Sequence, residues 1–89
     1  VKDIENAVKL YELLVNIGEK QLTIVAGIKR YYSKEELKGK KIVVLTNLKP
    51  AKIRSIVSEG MILAAIDKKS DNIAVLTVDR DICPGSVIE

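Results

Sequence analysis

An all-β fold, a small five-stranded barrel with one short helical turn, is the fold class that this sequence predicts. Three observations carry the prediction. The apolar runs are short and bounded by turn residues, which is the pattern of strands that pair through tight connections. They are built from Val, Ile and Leu, with three Tyr the only aromatic residues, and β-branched side chains suit a pleated, half-buried surface. The chain has 89 residues, enough for one domain with one modest core.

Taken in order, Leu10 to Ile17 has the length and composition of a strand, and Gly18 suits the turn that ends it. Gln21 to Ile28 is the second strand, rich in β-branched residues. Ser33-Lys34-Glu35-Glu36 fits a capping box, with Ser33 as the N-cap and Glu36 three residues later, so a helical turn follows to about Leu37 and Gly39 closes it. Lys41 to Thr46, Met61 to Ile66 and Asn72 to Val78 supply the remaining strands. Lys68-Lys69-Ser70-Asp71 makes a polar hairpin connection between the last two, and Pro84-Gly85 marks a turn near the end. Five short strands with a helical turn point to the OB-fold, a partly open Greek-key barrel. Spacing alone does not separate it from other small barrels.

Composition removes several function classes. There is no His, so the commonest general base, metal ligand and partner of a nucleophilic Ser or Cys are missing. One cysteine, Cys83, allows neither an internal disulfide nor a cysteine-based metal cage. It reads as a half-buried filler and suits a reducing compartment. The scarcity of aromatics speaks against a pocket for a planar cofactor, so neither a cofactor nor a small-molecule substrate is expected. No apolar run approaches the roughly 18 to 20 residues of a membrane helix. The expectation is a cytoplasmic domain without catalytic equipment.

The net charge is only +3, but it is unevenly spread. Between Lys20 and Arg54 there are ten Lys or Arg against Glu35 and Glu36, which is +8, while the flanking segments carry −2 and −3. Such a run is often no more than a solvated face. Here the cations flank strands and turns with few acids nearby in sequence, which favours a polyanionic partner.

The segment Lys40 to Ala65 reads KKIVVLTNLKPAKIRSIVSEGMILAA. A buried strand runs into the turn Asn47-Leu48-Lys49-Pro50, where Pro50 draws the preceding residue away from helix. Lys49, Lys52 and Arg54 follow at close spacing, and the chain returns through Ser58-Glu59-Gly60-Met61. A loop of this kind offers cations, a hydroxyl and backbone amides to phosphates. Met61 offers an adaptable apolar contact, although taken in isolation it is a core residue opening a strand.

At these residues the sequence resembles the tRNA-binding domain of methionyl-tRNA synthetases, also found in free-standing tRNA-binding proteins and in cofactors of multi-synthetase complexes. Asn47 to Ala65 matches the family pattern almost throughout. Further matches are Ile24 to Ile28, Tyr32 to Leu37 and Pro84-Gly85-Ser86, with a weaker one at Asn6-Ala7 and Lys9-Leu10. The resemblance implies a non-catalytic OB-fold module that binds tRNA by shape and backbone, as folded RNA is generally read, in cis or in trans to a synthetase catalytic domain. It assigns the contact face to Asn47, Lys49, Lys52, Arg54, Ser58 and Met61. Lys29, Arg30 and Lys41, cations of the same basic segment, are added as phosphate contacts.

Three departures qualify the match. Ser55 stands where the family has glycine, which matters if that position needs an unusual backbone. Val8 replaces an aspartate, and Ile4-Glu5 a histidine-proline pair. The chain begins at Val1, and the family's first strand is expected to lie upstream of it, which would leave an exposed edge. Of the remaining residues, Tyr31 and Tyr32 are candidates for base stacking or for packing beneath the helical turn. Asp79 and Asp81 are expected to be solvated turn residues. The competing function is homodimerisation or another protein-interaction role in a synthetase complex.

Overall fold

A computed structural model describes residues 1–5 and 7–89, so Asn6 of the weaker match lies outside the described residues. The frame is an antiparallel meander of β1 (Lys2–Asp3), β2 (Tyr11–Asn16) and β3 (Gln21–Ala26) in the order β1-β2-β3. Alternation places Tyr11 and Leu13 of β2, and Leu22, Ile24 and Ala26 of β3, on one buried face, the period-2 signature of a half-buried sheet. Ile24 is fully buried at the centre of the core, which also takes in Ile28, Leu37 and Val75.

The helical turn α1 (Lys34–Leu37) forms where the capping box predicts it. Glu36 N–H donates to Ser33 Oγ at 3.2 Å, and Ser33 N–H donates to Glu36 Oε1 at 2.9 Å. That backbone donation holds the Glu36 carboxyl below its ordinary value. Leu37 drops into the core, and Tyr32 packs against it from the preceding loop. The Tyr32 hydroxyl accepts Val75 N–H at 3.0 Å, and the Tyr32 carbonyl accepts the Tyr11 hydroxyl at 2.9 Å. Of the stacking and packing alternatives for this residue, packing holds.

Beyond α1 the expected strands are cut shorter. β4 (Val44–Leu45) pairs with β7 (Met61–Ile62), β5 (Ala51–Ile53) with β6 (Ile56–Ser58), and β8 (Ala64–Asp67) with β9 (Asn72–Val75). Two expectations are corrected here. The run Met61 to Ile66 is not one strand: it breaks at Leu63, with one half pairing to β4 and the other to β9. The segment after Pro50, read as a loop, is a β-hairpin.

The ladders are linked by single backbone bonds, from Val43 to Leu76, Leu63 to Val43 and Leu76 to Leu63. They remain separate sheets, and the barrel is not closed. The two-residue β1 pairs with the start of β2, through Lys2 opposite Glu12 and Asp3 opposite Tyr11. Among the described residues no helix is long and apolar enough to cross a membrane.

The polar connection before β9 is built by Asp67. Its carboxylate accepts Lys69 N–H at 3.1 Å and the Ser70 hydroxyl at 2.8 Å. Cys83 is exposed, not the half-buried filler expected, because the whole segment from Asp79 to Glu89 lies on the surface.

That segment is anchored at Gly85, whose φ of +91° is the left-handed conformation that glycine tolerates. A Cβ there would run into the Ile17 carbonyl. Gly85→Ala is therefore expected to cost about 2 kcal/mol, from the left-handed backbone and the clash together. The corresponding fall in Tm is roughly 10 °C at this chain length, to be read by thermal unfolding.

Candidate nucleic-acid interface

The hairpin of β5 and β6 carries Lys52 and Arg54, with Lys49 two residues before it. Its register sets Ala51 opposite Ser58, Lys52 opposite Val57 and Ile53 opposite Ile56. The connection is thus the two residues Arg54 and Ser55, with φ of +51° and +68°. Two successive positive φ values are the requirement of a type I′ turn, whose twist matches that of paired strands. Neither residue is glycine, so an L-residue occupies the left-handed region twice in succession. The departure noted at Ser55 falls on a position that does need an unusual backbone.

Alternation divides the hairpin into two faces. Ile53 and Ile56 are half-buried and Ser58 is 5% exposed, so these turn inward. Lys52 and Val57 turn outward, Val57 being 51% exposed. Asn47, Lys49 and Arg54 are exposed around them. Among the described residues Lys49, Lys52 and Arg54 take part in no ion pair, whereas the other three proposed cations do.

Lys29 Nζ lies 2.9 Å from Asp3 Oδ1 and over the Tyr11 ring. Arg30 is 3.6 Å from Asp71 and stacks on Tyr31, whose hydroxyl also donates to Asp71. Lys41 is bound to the Asp81 carboxylate and the Ile82 carbonyl. These pairs move the charges involved. Asp3 is lowered from the ordinary carboxylate value by its hydrogen bonds to Lys34 and then Lys29. Lys34 is raised by Asp3, which it meets at 2.7 Å, and Asp81 is lowered by Lys41. Asp79 is a solvated turn residue, as expected, while Asp81 has this further role as counter-ion.

Two of the expected contact residues behave differently from their neighbours. Met61 is 54% exposed and is not a core residue. It stands on a shallow apolar groove with Val25, Gly27, Ile28, Ile66 and Ile73. Ser58 is the buried polar residue among the described residues, and its hydroxyl is engaged internally. It accepts Val25 N–H at 3.0 Å and donates to the Gly60 carbonyl at 3.0 Å. Beside it, Glu59 Oε1 accepts Thr23 N–H, and Glu59 N–H donates to the Thr23 carbonyl, both at 2.8 Å. Gly60 then passes so close to β4 that a Cβ would sit 2.6 Å from the Leu45 carbonyl.

Sequence reasoning missed Glu59 and the acids Asp3, Asp71 and Asp81. Each acts on a residue 26 to 41 positions away, and the charge pattern held no local signal for such pairs.

A small all-β domain that presents exposed cations on and just before a β-hairpin has the make-up of a nucleic-acid-binding module. Residues 1–87 match the family described as "Putative tRNA binding domain", and the chain belongs to that family. It is 51% identical over 87 residues to a methionine–tRNA ligase of Methanocaldococcus jannaschii, a match covering 98% of this chain and 13% of that protein. It is 48% identical to the Thermotoga maritima methionine–tRNA ligase, with 96% and 13% covered. The chain thus spans about an eighth of the length of these relatives.

Among solved structures, a MetRS-related protein from Pyrococcus horikoshii superposes with a TM-score of 0.90 at 32% identity, covering 99% of this chain and 80% of that one. The CsaA chaperone protein from Picrophilus torridus gives 0.88 at 34% identity, with 100% and 82% covered. These likenesses agree with the OB-like, nearly all-β architecture.

The left-handed turn yields a test of stability. Ser55→Gly removes a Cβ from positive φ, a gain of roughly 1–2 kcal/mol, partly offset by the greater freedom of glycine in the unfolded chain. A net rise of about 0.5–1 kcal/mol is expected, seen as a Tm higher by several degrees. Ser55→Val, β-branched at the same φ, is expected to lower Tm.

Proposed function

We propose that the domain binds tRNA through the β5–β6 hairpin, by its phosphate backbone and overall shape, and serves as the tRNA-capturing part of a methionyl-tRNA synthetase, appended to the catalytic domain or acting as a separate subunit. The observation that carries this reading is the set of Lys49, Lys52 and Arg54, exposed and without acidic partners among the described residues, on the β5–β6 hairpin and just before it. Membership of the tRNA-binding domain family and the resemblance to methionine–tRNA ligases support it. Asn47 offers its amide beside these cations, and Met61 an apolar surface to an exposed base or sugar. The chemistry of aminoacylation belongs to other parts of such a protein, and a cytoplasmic location belongs to the same proposal.

Binding of tRNA by fluorescence anisotropy over a range of salt tests the reading. Alanine at Lys49, Lys52 or Arg54 should weaken binding to many tRNAs alike and flatten the log–log salt slope by about 0.7–0.9 for each phosphate left without its cation. Alanine at Lys29, Arg30 or Lys41 should change the slope less, since each is already paired with an acid. If alanine at Lys49, Lys52 and Arg54 leaves affinity and slope unchanged, the assignment fails.

A second reading, homodimerisation, is favoured by the surface segment after β9, where Ile82, Val87 and Ile88 are 50%, 79% and 65% exposed. Apolar side chains gathered on one exposed segment suit a protein contact. Light scattering should then report a dimer that Ile88→Asp and Val87→Asp convert to monomer. A monomer at all concentrations removes this reading and leaves the first intact.

A further inference from the structure

The outer edge of β3 is closed in an unusual way. β2 pairs with one edge along its whole length, from Tyr11 opposite Ala26 to Asn16 opposite Gln21. On the other edge no strand among the described residues forms a ladder with β3, yet Thr23 and Val25 have their N–H groups satisfied there by the Glu59 carboxylate and the Ser58 hydroxyl. Together with Glu59 N–H to the Thr23 carbonyl and the Ser58 hydroxyl to the Gly60 carbonyl, four hydrogen bonds join this dipeptide to β3 and to its own turn. Ser58 is also the last residue of β6, directly opposite Ala51. The root of the cationic hairpin is thus the point at which side chains stand in for a missing strand.

An acid in that position is otherwise hard to explain. Glu59 sits five residues from Arg54 and adds negative charge beside a surface that attracts a polyanion. Electrostatics alone would favour its removal. Its carboxylate oxygen, however, is engaged by a backbone N–H, and its own N–H closes the reciprocal bond to the same residue.

Resting on the tRNA-binding reading above, we propose that Ser58 and Glu59 are positioning residues, not RNA contacts: they lock the β5–β6 hairpin to the edge of β3 so that Lys49, Lys52 and Arg54 meet successive phosphates together. A hairpin tied only by its inward isoleucines would pivot, and each cation would have to be ordered anew on binding.

Three variants of the chain separate acceptor geometry from charge. Glu59→Ala and Glu59→Gln remove the same negative charge, but glutamine keeps an oxygen that can accept Thr23 N–H. Ser58→Ala removes the second clamp, and because Ser58 is buried the partly exposed Glu59 pair keeps the test valid if that variant does not fold.

With folding verified by circular dichroism, Glu59→Ala is expected to bind tRNA about tenfold more weakly, a loss of about 1.4 kcal/mol. Its salt slope should be flatter by about 1–2, the share of one or two phosphates, and Thr23 should exchange its amide hydrogen faster. Glu59→Gln should bind as tightly as the unsubstituted chain or more so. Equal or tighter binding by Glu59→Ala, or equal weakening by both variants, would overturn the inference while the tRNA-binding function stands. An unsubstituted chain that fails to bind tRNA would overturn both.

Discussion

The free edge of β3 is the constraint around which the second half of the molecule is arranged. A strand paired on one side only directs alternate N–H and C=O groups outward, and leaving one unsatisfied in a buried setting costs about 1–3 kcal/mol, against a net gain of about 0.5–1.5 kcal/mol when it is bonded. In a closed barrel another strand would meet this need. Here Ser58 and Glu59 meet it over two residues, and the neighbouring β5–β6 hairpin is free of ladder bonds to β3. The hairpin therefore lies along β3 without a ladder and is tied to it at its root. Gly60 allows the return, since no side chain fits between it and the Leu45 carbonyl.

Electrostatics follow the same division. The six proposed cations are not equivalent: Lys29, Arg30 and Lys41 meet acids from near the two ends of the described chain and from the β8–β9 connection, whereas Lys49, Lys52 and Arg54 do not. Exposed pairs of this kind contribute little to stability, since water and salt screen them. Their larger effect is on the field, because they offset the charge of Lys29, Arg30 and Lys41 while that of Lys49, Lys52 and Arg54 is left without an acidic partner among the described residues. Asp3, which meets both Lys29 and Lys34, is the clearest case.

The tip of the hairpin adds strain to that charge. Arg54 and Ser55 both adopt positive φ, a conformation usually left to Gly, Asn or Asp. Such a turn persists because the flanking pair of isoleucines is half-buried and the root is clamped. Its consequence is to fix the direction in which the Arg54 backbone faces, so strain and presentation of the cation go together.

Much of this was legible in the amino-acid sequence. The two long strands, the helical turn with its Ser33–Glu36 capping box, and the polar connection before β9 are local features, governed by side-chain alternation and by hydrogen bonds within a few residues, and they lie where the pattern indicates. The family motif from Asn47 to Ala65 marked the segment that bears the free cations. What tertiary structure alone decided were relations between distant positions. The break at Leu63 arises because one apolar run serves two partners, and composition cannot reveal a change of partner. The exposure of Met61, the withdrawal of Ser58 from the surface and the pairing of Lys41 with Asp81 likewise depend on which elements meet in space. Local physics therefore determined the elements and the sign of the field, while the long-range closure of the β3 edge decided which of the signalled residues face outward and which hold them in place.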